Sequence, residues 1–296
     1  MTSIKEFYRE RYKGSLFVVK AGGRVISDVA ARRSLLSNIK DLTESGMKVL
    51  LIYGGGHAID AALEEAGIVP EKIEGRRVTS RAAISVIQRV MVEDLGFAVS
   101  STMAELGVNG LNLSNIPLSW GVLDFRARDK EEDYGFDGFF VSVDDAPIRA
   151  LFESVSFVSC PCLGVSDKGP VNINADNVAV ALAEGVHSRK LIFLSDVDGV
   201  MKDGAVMPLI TDAEIAGLIE SGVAEGGMRV KLENCAHALE QGVRRIHLIN
   251  GFRANGLTDE IYDAVGLGTM VIREVDRARY LNEIERQRDI EKGVQS

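Results

Sequence analysis

Cysteine is scarce: Cys160, Cys162 and Cys235 are the whole supply in 296 residues, too few for a disulfide framework in a chain of this length. Cys160-Pro-Cys162 has one residue between the cysteines, not the two of a redox or zinc pair, so a structural role is expected for all three. Histidine is as rare. His57, His187, His237 and His247 form no HExxH or similar ligand pattern, and no metal held mainly by protein side chains is expected. No apolar run approaches the roughly 18 residues of a membrane span. The opening MTSIKEFYRERYKG is charged and has no apolar segment, which argues against a signal peptide and for a cytoplasmic address. Positive charge is also short, 34 Lys and Arg against 43 Asp and Glu, a net charge of −9. A nucleic-acid surface is therefore not expected, and any anion site must be locally positive.

The two familiar phosphate loops are missing as well. No GxGxxG follows a strand, and the Walker-type spacing Gly164 to Gly169 continues Pro-Val where Lys-Ser would be needed. A nucleotide, if bound, needs a different cradle.

What is present is an α/β rhythm. Leu16-Phe-Val-Val-Lys20 predicts a buried strand ending at Ala21-Gly22-Gly23, and Asp28 predicts the cap of a helix that stops at Gly46. Lys48 to Tyr53 predicts a second strand, followed by three glycines and a helix from about 57 to 66. Strand–helix–strand in this order implies a parallel sheet by the right-handed crossover rule. Helical spacing runs from Arg81 to Leu95, and residues 109–150 read as hairpins and loops. Strands are expected over 154–159, 190–194, 245–249 and 269–272, with helices over 175–183, 212–221 and 229–241. No flexible linker divides the halves, so one sheet through both lobes is the simplest account. The expected layout is a single domain over 1–296. It has an N-terminal lobe over about 15–165, a C-terminal lobe over about 166–275, a helix over about 3–12 and a helical tail over about 276–292.

Several segments suit anion chemistry. Lys20-Ala-Gly-Gly23 sets a lysine at the carboxyl end of a buried strand beside free amides, and Gly54-Gly55-Gly56 leads into a helix N-terminus. Either one alone reads equally as a tight turn. Arg76-Arg77-Val-Thr79 suits a bidentate carboxylate clamp, or a solvated charge pair. Asn172-Ile-Asn174-Ala-Asp176 packs three short polar side chains before an alanine-rich helix, more than capping needs. Ser195-Asp-Val-Asp-Gly199 ends a strand in acids and glycine, suited to a nucleotide, to hydrated Mg²⁺, or to a bare turn. Gly226-Gly227-Met228 precedes Lys231, which alone reads as an ordinary surface lysine.

In this order and spacing the segments, with Gly75-Arg-Arg77-Val-Thr79 and Gly266-Leu-Gly-Thr269, resemble the amino-acid kinase family, its acetylglutamate kinases above all, over about residues 4–272. The resemblance implies an α/β fold, a three-layer αβα sandwich with a mostly parallel central sheet continuous through two lobes. It implies ATP with Mg²⁺ and phosphorylation of the side-chain carboxylate of N-acetyl-L-glutamate, a step of arginine biosynthesis. Lys20 and Lys231 would be the transition-state lysines and Asp176 would orient them. Gly55, Gly56, Arg77, Asn172 and Asn174 would hold the acyl amino acid. Gly22, Gly23, Ser195, Asp196, Val197, Gly199, Gly227 and Met228 would face phosphate and nucleotide. Small-molecule partners and a homo-oligomer, dimer or hexamer, follow from the same resemblance, with no nucleic acid and no membrane. Tyr8, Glu260 and Gly266 fall where arginine-inhibited members bind arginine. The alternatives are a kinase for another acylated amino acid, such as an aminoadipate derivative, or for another small anionic acceptor, or a non-catalytic arginine-binding relative. Departures from the family pattern lie at Tyr53, where His is usual, at His57, where Pro is often found, at Asn255, in place of a usual His, at Glu93-Asp-Leu-Gly96-Phe97 and at Leu111-Asn112-Leu-Ser-Asn-Ile-Pro117.

Overall fold

The computed structural model describes residues 4–73, 76–125, 134–263 and 265–291. Gly75 of the Arg77 motif and residue 292 of the expected tail lie outside them. Along the chain, α1 (Ile4–Tyr12) precedes β1 (Leu16–Ala21), α2 (Gly23–Ser27), α3 (Val29–Glu44), β2 (Lys48–Tyr53) and α4 (Gly56–Glu65). A small hairpin follows, β3 (Glu71–Ile73) and β4 (Arg76–Val78), then α5 (Arg81–Gln88), α6 (Phe97–Leu106) and β5 (Leu111–Asn112). Next come β6 (Gly121–Phe125), β7 (Asp137–Val143), α7 (Asp145–Ser154), β8 (Phe157–Pro161), β9 (Leu163–Ser166), β10 (Gly169–Ile173) and α8 (Ala175–Gly185). The remainder is β11 (Lys190–Ser195), β12 (Met201–Lys202), β13 (Ala205–Val206), β14 (Leu209–Thr211), α9 (Asp212–Glu220), α10 (Gly226–Glu240), β15 (Ile246–Asn250), α11 (Gly256–Ile261), β16 (Thr269–Ile272) and α12 (Arg277–Glu291).

One eight-stranded sheet runs through the molecule in the order β14-β16-β15-β11-β1-β2-β8-β5. All its pairings are parallel except β15 with β16. β1, β2 and β11 are continuous apolar runs because both faces are covered, as parallel sheets require. α8 lies across β1, β2 and β11 with α10 against it, while α3 and α11 pack on each other and on β2 and β15. Asp28 caps α3 as its sequence predicts, its Oδ1 accepting from the Ala31 amide at 2.8 Å. A second sheet, β6-β7-β10-β9, stands beside the first and carries Asn172 at the end of β10.

Three local expectations are revised. The helix from Arg81 does not stop near 95 but continues through a wide π turn, Arg89–Gly96, into α6. Such a turn loosens the i→i−4 ladder, and Asn112 Nδ2 takes up the Gly96 carbonyl at 2.8 Å. Residues 109–150 hold more order than hairpins and loops. Asp144 accepts from the Ala146 amide at 3.0 Å and starts α7, with Pro147 in the first turn where its missing N–H costs nothing. The short β14 and α11 are also additional. α1 and α12 meet at the far side of the sheet, where the Tyr8 hydroxyl donates to Gln287 Oε1 at 3.1 Å.

Candidate active site

The carboxyl ends of β1 and β2 and the N-terminus of α8 converge on a cavity of about 280 Å³. Lys20 reaches it from the end of β1 and is only 9% exposed. Its Nζ stands 2.6 Å from Asp176 Oδ1. Asp176 is brought there by local folding. Asn174 Oδ1 caps α8 by accepting from the Asp176 and Asn177 amides at 3.0 and 3.2 Å, which fixes the first turn. One of the three polar residues of that motif is thus the cap, and the other two, Asn172 and Asp176, turn to the cavity wall. Asn172 Nδ2 donates to Thr79 Oγ1 at 3.3 Å.

Burial pushes the Asp176 carboxyl up, but Lys20 and then Lys231 outweigh it and leave it below the ordinary carboxylate range. Asp176 is therefore an anion paired with Lys20, within the field of Lys231, and is no base at neutral pH. Lys231 is half-buried in α10 and couples to the cavity through this field. Cys162 also lines the wall, and burial drives its thiol up to about 12, so it is not a thiolate nucleophile.

The two glycine turns meet backbone to backbone. A Cβ on Gly23 would lie 2.9 Å from the Gly55 carbonyl carbon and from the Gly56 amide nitrogen. A Cβ on Gly55 would strike Met91 Sδ at 2.5 Å, whereas Gly56 opens onto free space. The result is a cluster of amides with no side chain between them and the cavity, at the start of α4. Arg77 lines the same cavity, is paired with Asp60, and keeps a buried Nη1 with no hydrogen-bond partner. A buried guanidinium N–H left over beside the cavity is of the kind that suits a carboxylate.

The remaining expected residues are placed less centrally. Ser195 ends β11, and the exposed Asp196 pairs with Arg24 at 2.5 Å. Val197 is exposed, and Asp198 accepts from Asn250 Nδ2 at 3.0 Å. Gly199 has φ +145° and packs so closely on Thr269 that a Cβ would meet its Oγ1 at 2.5 Å. Gly22 donates to the Leu194 carbonyl at 3.1 Å, tying β1 to β11. Gly227 and Met228 open α10. Tyr8 is buried against Gln287, and Glu260 is buried against His247 at 2.5 Å, also accepting from the Leu267 amide at 2.6 Å. Gly266, at φ +71°, leaves room for that carboxylate. The sequence does not single out Asp60 or Asp137, and it names Thr79 only as the end of the Arg77 motif; the fold brings all three to this site. Asp137 lies in the stretch read as loops, so no periodicity marks it.

Residues 15–250 match the model of the amino acid kinase family. The chain belongs to the amino acid kinase family. Among its relatives is the acetylglutamate kinase of Pelodictyon phaeoclathratiforme, 32% identical over 275 residues, covering 91% of this chain and 88% of that one. The acetylglutamate kinase of Geobacter sulfurreducens is 33% identical over 276 residues, covering 90% and 94%. Solved structures share the fold of this kinase. An N-acetylglutamate synthase from Neisseria gonorrhoeae, complexed with coenzyme A and N-acetyl-glutamate, superposes with a TM-score of 0.83 at 22% identity. The alignment takes in 91% of this chain and 62% of the synthase, so the chain spans less than two thirds of that protein. Carbamate kinase from Giardia lamblia bound to AMP-PNP superposes at 0.60 with 17% identity, over 88% of this chain and 99% of the other. Among the described residues no helix is long and apolar enough to cross a membrane.

Proposed function

We propose that this kinase transfers the γ-phosphoryl group of MgATP to the side-chain carboxylate of N-acetyl-L-glutamate. The observation that carries the reading is the buried Lys20–Asp176 pair beside an unpartnered Arg77 donor and two touching glycine turns. The acceptor lies over the N-terminal lobe, with Arg77 on its α-carboxylate and Asn172 on its acetamido end. The nucleotide lies over the C-terminal lobe, near Ser195, Asp196 and the start of α10.

The chemistry follows from charge. A carboxylate of pKa ~4.3 is ionised at neutral pH, so the acceptor needs no general base. The work left is to bring two anions together and to stabilise negative charge on the transferring phosphoryl oxygens. Lys20 and Lys231 supply that charge and Asp176 holds their ammonium groups in place. The Gly23, Gly55 and Gly56 amides add donors that need no reorientation during the reaction. Mg²⁺ arriving with ATP offsets phosphate charge. The acidic surface residues Asp196 and Asp198 beside the end of β11 suit its hydration shell.

Hydroxylamine trapping of the acyl phosphate tests the reading. Purified protein with MgATP and N-acetyl-L-glutamate is expected to give hydroxamate, and Lys231→Ala is expected to abolish it. ATP binding without product from this acceptor, with product from another acyl amino acid, would reassign the substrate.

A further inference from the structure

At the opposite end of the strands from the cleft, a small cavity of about 30 Å³ is walled mainly by cations. Lys190 starts β11, where it pairs with Phe17, while Lys20 pairs three residues further on with Phe193. The two lysines therefore stand about 10 Å apart along the strands, at opposite ends. Arg189 precedes Lys190, Arg244 and Arg245 precede β15, and Arg279 comes from α12. The floor is Tyr12, whose ring lies 5.2 Å from Lys190 Nζ and 5.8 Å from the Arg189 guanidinium.

Direct ion pairs cover only part of this charge. Arg245 is paired with Glu283 at 2.5 Å, which Arg11 also approaches at 3.0 Å. Asp276, the carboxylate on the wall, is bonded to Arg273 at 2.9 Å. Among the described residues Arg189, Lys190, Arg244 and Arg279 have no carboxylate within ion-pair distance. Lys190 is 2% exposed, its ammonium stands over the Tyr12 ring, and the carboxylates of Glu260 and Glu283 feel its charge from beyond ion-pair distance. Burying an unpaired charge is costly, and converging like charges add to that cost. Burial, chiefly, holds Arg189 below its ordinary value, with Tyr12 opposing it and Arg11, Arg245 and Arg244 adding to it.

We propose that this cavity is an oxyanion site that takes a phosphate group, either free inorganic phosphate or the phosphate of a larger metabolite. The planar guanidinium forks of Arg189 and Arg279 match a tetrahedral anion, and Lys190 supplies a fixed point charge at the bottom. On this measure a water needs ~10–15 Å³, so the cavity admits the inner oxygens of a phosphate and leaves the rest of the group at the mouth. The exposed Arg244 and Arg279 close on the rest from the mouth. A ligand here would tie α1 to α12 across the start of β11.

Thermal unfolding tests this with inorganic phosphate, with glycerol 3-phosphate, and with chloride at matched ionic strength. Phosphate is expected to raise Tm by about 2–3 °C over chloride at roughly ten times its Kd. Because the cleft also attracts phosphate, two variants locate the effect. Lys20→Ala should keep the response, and Arg189→Gln/Arg279→Gln should lose it. In chloride alone Arg279→Gln, at an exposed position, should match or exceed the wild-type Tm, since it removes one repelling cation. Protection by phosphate alone identifies the free ion, and protection by the monoester as well identifies a phosphate group on a larger ligand. An equal response in the double variant and the wild type, or no response beyond chloride, would overturn the assignment.

Discussion

The Tyr53 hydroxyl donates to Asn112 Oδ1 at 3.3 Å, across 59 positions of sequence. Asn112 in turn donates to the Gly96 carbonyl at 2.8 Å and to Ser100 Oγ at 2.9 Å, and Ser159 Oγ donates to its Oδ1 at 2.8 Å. Three of the places where the chain departs from its family's pattern are therefore one hydrogen-bonded cluster behind the glycine turn. Asn112→Ala should destabilise by about 1–3 kcal/mol because it strands the Gly96 carbonyl and the Tyr53 hydroxyl. In a double-mutant cycle, Tyr53→Phe and Asn112→Ala should couple by roughly 0.5–1 kcal/mol, measured by urea unfolding. Strict additivity would show that the contact carries no energy.

Gly23→Ala should cripple turnover more than stability. Its Cβ would stand 2.9 Å from Gly55 and Gly56 backbone atoms, which have no side chain to swing aside. The two turns must separate, and a shift near 1 Å in positioned groups costs ~100-fold in rate. Steady-state kcat for the proposed reaction is the readout, with far-UV circular dichroism unchanged.

The Lys20–Asp176 pair separates catalysis from folding. Lys20→Ala should lower kcat at least ~100-fold by removing transition-state charge stabilisation. It should also cost ~3–5 kcal/mol of stability, because Asp176 is left buried and unpaired. Lys20→Met/Asp176→Leu should recover most of that stability and none of the activity. Recovery of activity would remove both residues from the chemistry.

His247 makes stability fall in mild acid. Burial, then Lys190, hold its imidazole down to about 4 against the pull of Glu260, and its Nε2 has no hydrogen-bond partner. A depressed folded value means that the unfolded chain takes up protons first. The contribution is therefore complete above the unfolded pKa of ~6.5 and is lost as pH falls toward the folded one. Tm should hold above about pH 6.5 and drop progressively to about pH 4, for a loss on the order of 3 kcal/mol. His247→Gln should flatten the curve across that window. Asp176, also depressed, acts in the same direction only below its unfolded value of ~3.9.

Much was settled by sequence alone. The buried strands at Leu16, Lys48 and Lys190, the Asp28 cap and the order of glycine turns, NxNAD segment and Lys231 are local patterns. Each follows from burial periodicity or from a side chain bonding its own backbone. Their family assignment needs only that order. Tertiary structure decided the rest, because the deciding distances join residues far apart in the chain. It separated Asn174 the cap from Asp176 the cleft carboxylate, and it set Lys20 against Asp176 across 156 positions. It brought Asp60, Thr79 and Asp137 to the site, gathered the departures at Tyr53, Gly96 and Asn112 into one cluster, and set several cations around Lys190. Sequence patterns record what a residue does with its near neighbours, whereas charge compensation and close backbone approach exist only after the sheet has assembled.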